Sequence, residues 1–142
     1  MAETVINMPG YDRKIASILV KSGKITAEKS EELQNNAKKK KTYLEKLLIE
    51  EKIMTEDVYL ATLAEEIQIS PIKLENYTIS KDMKDIIDEE MAIHYGVLPI
   101  SKIGDSLTVA LCNPFDIIAL DDIKIFTHTA ELRPMLTTIR QL

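Results

Sequence analysis

The sequence predicts an α+β fold: a small four-helix layer of duplicated helical hairpins, then a small α/β lobe with a β-hairpin. Three observations predict it. Apolar residues recur at helical spacing through the first half of the chain. The helical unit occurs twice, 29 residues apart. Two β-rich runs, Val97 to Ile103 and Leu107 to Cys112, then flank Gly104-Asp105, a pair suited to a tight reversal.

Residues 1–11 read as a flexible leader, with Pro9-Gly10 stopping regular structure. A helical repeat subdomain is expected over 12–70. In its first copy Ile15, Ile18 and Leu19 share one helix face, and Gly23 ends the helix because glycine takes the left-handed conformation freely. Thr26 caps a second helix, which runs through Leu33 and frays into Lys38–Lys41. In the second copy Leu44, Leu47, Leu48, Ile49, Met54 and Thr55 repeat Ile15, Ile18, Leu19, Val20, Ile25 and Thr26. Each hairpin carries one apolar stripe and cannot bury it alone, so the two are expected to pair. The fourth helix, Thr55 to Ile67, offers Val58, Leu60, Ala61, Leu63, Ala64 and Ile67 as its apolar face and ends at Ser70-Pro71.

Residues 71–142 form the second subdomain. Pro71 to Tyr77 reads as an irregular connector. Short helices follow over Asp82–Ile87, capped by Ser80, and over Glu89–Tyr95, stopped by Gly96. After the hairpin, Asn113 is expected to cap a helix with Pro114 in its first position, carrying Ile117, Ile118, Leu120, Ile123 and Ile125 to about Phe126. A last strand spans Glu131–Leu136 with Pro134 in it, and Thr137–Leu142 looks like the first turns of a helix cut short, as in an excised domain. The expected cores are Ile15, Leu19, Leu48, Leu60 and Leu63 in one lobe, and Val97, Ile100, Leu107, Val109, Leu111, Ile118 and Leu120 in the other.

Composition excludes several functions. With 45% hydrophobic and 29% charged residues the 142-residue chain has the composition of a folded domain. A net charge of −5 disfavours nucleic acid, and the short lysine run reads as a solvated helix end. The single cysteine, Cys112, leaves no intrachain disulfide and fits a reducing compartment. No apolar stretch approaches membrane-spanning length, so no direct membrane insertion is expected.

No catalytic residue emerges. A phosphate-cradling loop needs spaced glycines before Lys and Ser or Thr. Here Gly23-Lys24 is followed by Ile25, so the Walker motif is missing. One Cys and two His, His94 and His128, are too few for a zinc site, and Asp88-Glu89-Glu90 and Asp121-Asp122 read as solvent-facing helix surface. No metal and no cofactor is expected.

Particular residues carry a family resemblance. Lys14-Ile15-Ala16-x-x-Leu19-Val20-x-x-Gly23-x-Ile25, its second copy from Leu44 to Met54, Leu60-x-x-Leu63-Ala64, Ala92-x-x-Tyr95-Gly96-Val97-Leu98-Pro99-Ile100 and Leu107-x-Val109-Ala110-Leu111-Cys112-Asn113-Pro114-x-Asp116 with Asp121-Asp122-Ile123 carry it. Together they resemble the N-terminal domain of the GspE/PilB-type ATPases of type II secretion and type IV pilus assembly, related to the cyclic di-GMP-binding MshE N-terminal domain. The resemblance implies a non-catalytic adaptor, cytoplasmic and peripheral to the inner membrane through a partner. That partner is the cytoplasmic domain of an inner-membrane platform protein, with the downstream ATPase domain as a second.

The alternative the resemblance carries is a cyclic di-GMP-binding regulatory domain. Lys14, Ile15, Leu19, Gly23, Leu44 and Leu48 would then hold the ligand. The binding motif opens Arg-Leu-Gly and keeps a second glycine and a closing glutamine. In the second copy Tyr43, Glu45, Lys52 and Glu66 stand at those positions, and two of the four bring negative charge toward a dianionic ligand.

Overall fold

The computed structural model describes residues 10–142 and is α+β, as the sequence predicts. The chain divides into two compact units between Gln68 and Ile69, two residues before the expected boundary. The expected leader lies outside the described residues up to position 9, but Tyr11 is already the first residue of α1 and is buried.

The first unit holds α1 (Tyr11–Lys21), α2 (Ala27–Lys40), α3 (Leu44–Glu50) and α4 (Glu56–Ile67). α1 packs on all three others, and Ile15, Leu19, Leu33, Leu44, Leu48, Leu60 and Leu63 fill the shared interior. Burial of each such side chain contributes about 1.5–3 kcal/mol.

The duplication is visible bond by bond. Thr26 Oγ1 accepts the N–H of Lys29 at 3.1 Å, and Thr55 Oγ1 accepts that of Val58 at 3.2 Å. Lys24 N donates to the Leu19 carbonyl at 2.9 Å, and Ile53 N to the Leu48 carbonyl at 3.0 Å. These are the same cap and the same helix exit, 29 positions apart.

Three expectations for this unit are corrected. α2 does not fray in the lysine run: Lys38, Lys39 and Lys40 form its last turn, where positive charge suits the negative end of the helix dipole, and Lys41 ends it with φ 54°. α4 runs to Ile67 as expected, but what closes it is Gln68 in the left-handed conformation rather than Ser70-Pro71. Its buried face is Tyr59, Leu60, Thr62, Leu63 and Ala64, while Val58 and Ala61 face solvent. Thr62 enters the interior because its hydroxyl donates to the Val58 carbonyl at 2.7 Å, and Tyr11 and Tyr59 place their hydroxyls 3.4 Å apart there.

The second unit contains a 3-10 turn (Leu74–Asn76), α5 (Lys81–Ile86), α6 (Glu89–Tyr95), β1 (Val97–Ile103), β2 (Ser106–Leu111), α7 (Ile117–Phe126) and β3 (Glu131–Leu136). Ser80 and Asp88 cap α5 and α6, and Gly96 ends α6 at φ 65°. The sheet order is β1-β2-β3, with β1 antiparallel and β3 parallel to β2. β2 lies in the middle, and from Leu107 to Cys112 only Thr108 is not fully buried. On one face Val109 lies level with Pro99 and Pro134; on the other, Ala110 joins Ile72 and Leu74 in a cluster that Leu98, Met135 and Leu142 border.

Pro134 is tolerated because of its register. Leu136 turns both its N–H and its C=O outward to residues 70 and 72, at 2.8 and 2.9 Å. By alternation Pro134 faces the same outer side, where it has no sheet bond to lose. The expected connector after Pro71 is thus partly ordered by a bridge to Leu136 and by the 3-10 turn.

Two more expectations fail here. Asn113 does not cap α7. Its side chain accepts from Phe115 N at 3.1 Å, forming a local turn, and Asp116 caps the helix through Ala119 N at 3.0 Å. Residues 137–142 form a turn closed by Gln141 N on Thr138 Oγ1 at 3.2 Å, rather than the start of a helix.

Candidate functional site

The residues singled out for a ligand fall into two groups. Ile15, Leu19, Leu44 and Leu48 are each 0% exposed and belong to the interior of the helical unit. Lys14 and Gly23 lie at its surface. In the second copy Glu45 is buried at 3% exposure, while Lys52 and Glu66 are exposed, Glu66 within 3.8 Å of Lys21 Nζ.

The two repeat turns come together around a groove of about 710 Å³. Lys24, next to Gly23, and Lys52 line it together with Ile49, Ile53 and Val58, and Thr55 and Glu56 bring in the start of α4. A smaller hollow of about 410 Å³ adjoins it, bordered by Ser22, Glu65 and Glu66. Two lysines among apolar lining residues suit an anion with an apolar body, and Glu56, Glu65 and Glu66 oppose it. Of the six expected ligand residues none lines this groove. Sequence spacing located the turns but could not show that their neighbours, Ser22, Lys24 and Ile53, form the accessible wall.

Asp12 sits beneath the junction of the copies. Its Oδ2 accepts the backbone N–H of Leu44 at 3.2 Å, while Oδ1 is buried without a partner. Burial therefore raises its pKa above the usual carboxylate value, and the Leu44 bond partly counters that.

In the second unit α7 presents an unexpected surface. Ala119 and Ile123 turn inward and Leu120 is half-buried, while Ile118, expected in the core, is 74% exposed. Ile125 is 73% and Phe126 48% exposed; the side chain of Ile117 lies outside the described residues. Ile118 and Ile125 are seven residues apart, which places them on one stripe roughly 10 Å apart along the helix. Asp121 and Asp122 lie on the same stripe between them. Tyr95 of α6 donates its hydroxyl to Asp122 Oδ2 at 3.1 Å, and that bond, followed by burial and the charges of Asp122 and Asp116, raises the Tyr95 pKa. His94 stacks edge-on to Tyr95 at 4.8 Å between ring centres and is exposed. Cys112 is buried and its thiol faces the Gly96 carbonyl at 3.8 Å. Among the described residues no group of His, Cys, Asp and Glu is placed to hold a metal, and no helix is long and apolar enough to cross a membrane.

Comparison with solved structures places this fold. A structure of MshE with cdg aligns at a TM-score of 0.68 and 22% identity, covering 89% of this chain and 91% of that one. The N-terminal domain of XpsE aligns at 0.64 and 13% identity, over 96% of this chain and 93% of that one. The chain has the architecture of the N-terminal domain of type II secretion and type IV pilus assembly ATPases. A family model described as the MshEN domain matches residues 66–142, and the chain belongs to that family. The type IV pilus assembly ATPase PilB of Myxococcus xanthus (strain DK1622) is 25% identical over 114 residues, which is 80% of this chain. The chain spans 20% of that protein's length.

Proposed function

We propose that this chain is a docking domain, joining a secretion or pilus assembly ATPase to the cytoplasmic domain of an inner-membrane platform protein. The observation that carries the reading is the outward face of α7, where Ile118 and Ile125 are about three-quarters exposed on one stripe. Large apolar side chains grouped in this way mark interaction surfaces more often than scattered exposed ones do. The family membership supplies the setting, and the absence of a P-loop from the sequence leaves nucleotide hydrolysis to another domain. Isothermal titration of the chain with the purified platform domain tests this: saturable binding supports docking, and its absence at high micromolar concentrations removes it.

A second reading, cyclic di-GMP regulation, is favoured by the groove between the repeat turns with Lys24 and Lys52, and by the fold shared with MshE. It is opposed by Glu45 and Glu66 at motif positions and by the complete burial of Ile15, Leu19, Leu44 and Leu48. Titration with cyclic di-GMP is expected to give no saturable heat. Stoichiometric uptake would establish the regulatory reading instead.

A further inference from the structure

We infer that the α7 face receives a cationic amphipathic segment of the partner, with two apolar anchors bracketing at least one lysine or arginine. This rests on the docking reading and specifies the chemistry of that contact. The argument begins with the shape of the stripe. On an α-helix, residues 118, 121, 122 and 125 fall within one face about 100° wide, since each step turns about 100°, with 118 and 125 near its middle and 121 and 122 to either side. Ile118 and Ile125 are thus an apolar pair with Asp121 and Asp122 set between them, and Phe126 widens the apolar area on one flank. Ala119 and Ile123, on the opposite side, hold the helix against its own unit.

The carboxylates decide what can cover this face. Among the described residues no lysine or arginine is paired with Asp121 or Asp122. Tyr95 fixes Asp122 in place but is neutral at ordinary pH. A purely apolar partner would bury two carboxylates with no cation against them and only one of them hydrogen-bonded, which costs several kcal/mol. An anionic bilayer would be repelled, in a chain whose net charge is already −5. A second copy joined by two-fold symmetry would set the same carboxylates against one another. A segment presenting apolar side chains around a cation meets both halves of the stripe, the anchors by burial and the carboxylates by charge-assisted hydrogen bonds.

The experiment titrates the platform protein's cytoplasmic domain against the full chain and three variants. The variants are Ile125→Asp, the pair Asp121→Lys with Asp122→Lys, and the neutral pair Asp121→Asn with Asp122→Asn. All changed side chains are exposed, and unchanged thermal melting verifies folding. Ile125→Asp and the lysine pair are each expected to weaken binding by about tenfold or more. Raising salt should weaken the unaltered chain severalfold and the neutral pair much less. If the unaltered chain binds and the variants bind equally, the face assignment is overturned while docking stands. Failure of the unaltered chain to bind overturns the docking reading and this inference with it. Equal salt dependence in the neutral pair overturns the cationic partner, as does a self-association that Ile125→Asp abolishes in sedimentation.

Discussion

Lys52 holds the same left-handed backbone conformation as Gly23, 29 residues before it, with φ 56° in one and 76° in the other. Both residues leave a helix, and both donate to a carbonyl three residues back, at 3.2 and 3.0 Å. The second copy has kept the geometry of its turn and lost the residue type that adopts it without cost.

A Cβ in the left-handed region costs about 1–2 kcal/mol, part of which glycine returns through the entropy of the unfolded chain. Lys52→Gly should therefore raise stability by about 0.5–1 kcal/mol in urea denaturation. Gly23→Ala should lower it by about 1 kcal/mol. Nothing lies within 4 Å of the added Cβ, so the loss would come from the backbone rather than from a clash. Equal midpoints for both variants would show that the turns are not held as described.

The Asp12 bond to Leu44 joins the two copies through a partly buried carboxylate whose pKa is raised. The folded state then binds the proton more tightly than the unfolded chain does. This group's contribution is fully present below its unfolded pKa and is lost as pH rises through the folded one. Asp12→Asn keeps an acceptor for Leu44 and removes the desolvated charge. It should be at least as stable as the unaltered chain at neutral pH, with the difference shrinking as pH falls through the carboxylate range. Asp12→Ala, which has no acceptor, should lose about 1 kcal/mol. Denaturation at a series of pH values reads both.

Leu63 and Val109 are among the largest fully buried side chains, 2% and 0% exposed. Leu63→Ala should cost about 2–5 kcal/mol and Val109→Ala about 2 kcal/mol. Ile118→Ala should stay within about 0.5 kcal/mol, because its side chain already lies in water. Comparable losses at all three positions would contradict the outward placement of Ile118.

Tyr95 should titrate above a free tyrosine, since ionising it sacrifices the bond to Asp122 and sets two negative charges together. Its contribution to stability is present at neutral pH and lost as pH climbs through the alkaline range. Asp122→Asn should bring the phenol down toward its ordinary value in an ultraviolet titration. An unmoved titration would show the pair to be separated in solution.

The repeat was legible because caps and helix exits are made by the backbone within a few residues. Thr26, Thr55, Ser80, Gly23 and Gly96 each do what their local chemistry predicts. The choice between Asn113 and Asp116 was not legible, as either can cap a helix and both stand before an apolar run. The same holds for α7: with isoleucines on both sides its periodicity does not single out one face, and Ile118 read as core.

By itself the sequence determined the α+β class, the doubled hairpins and the hairpin turn, which rest on short-range spacing and residue type, while its motifs carried the resemblance to the family. Only the tertiary structure decided that the expected ligand residues Ile15, Leu19, Leu44 and Leu48 are interior, that Asp12 bridges the copies, and that α7 turns Ile118 and Ile125 to solvent. Those outcomes depend on which surfaces the rest of the chain leaves to be covered. Apolar area is buried wherever packing permits, and a helix with more than one apolar stripe can bury only the one its neighbours reach.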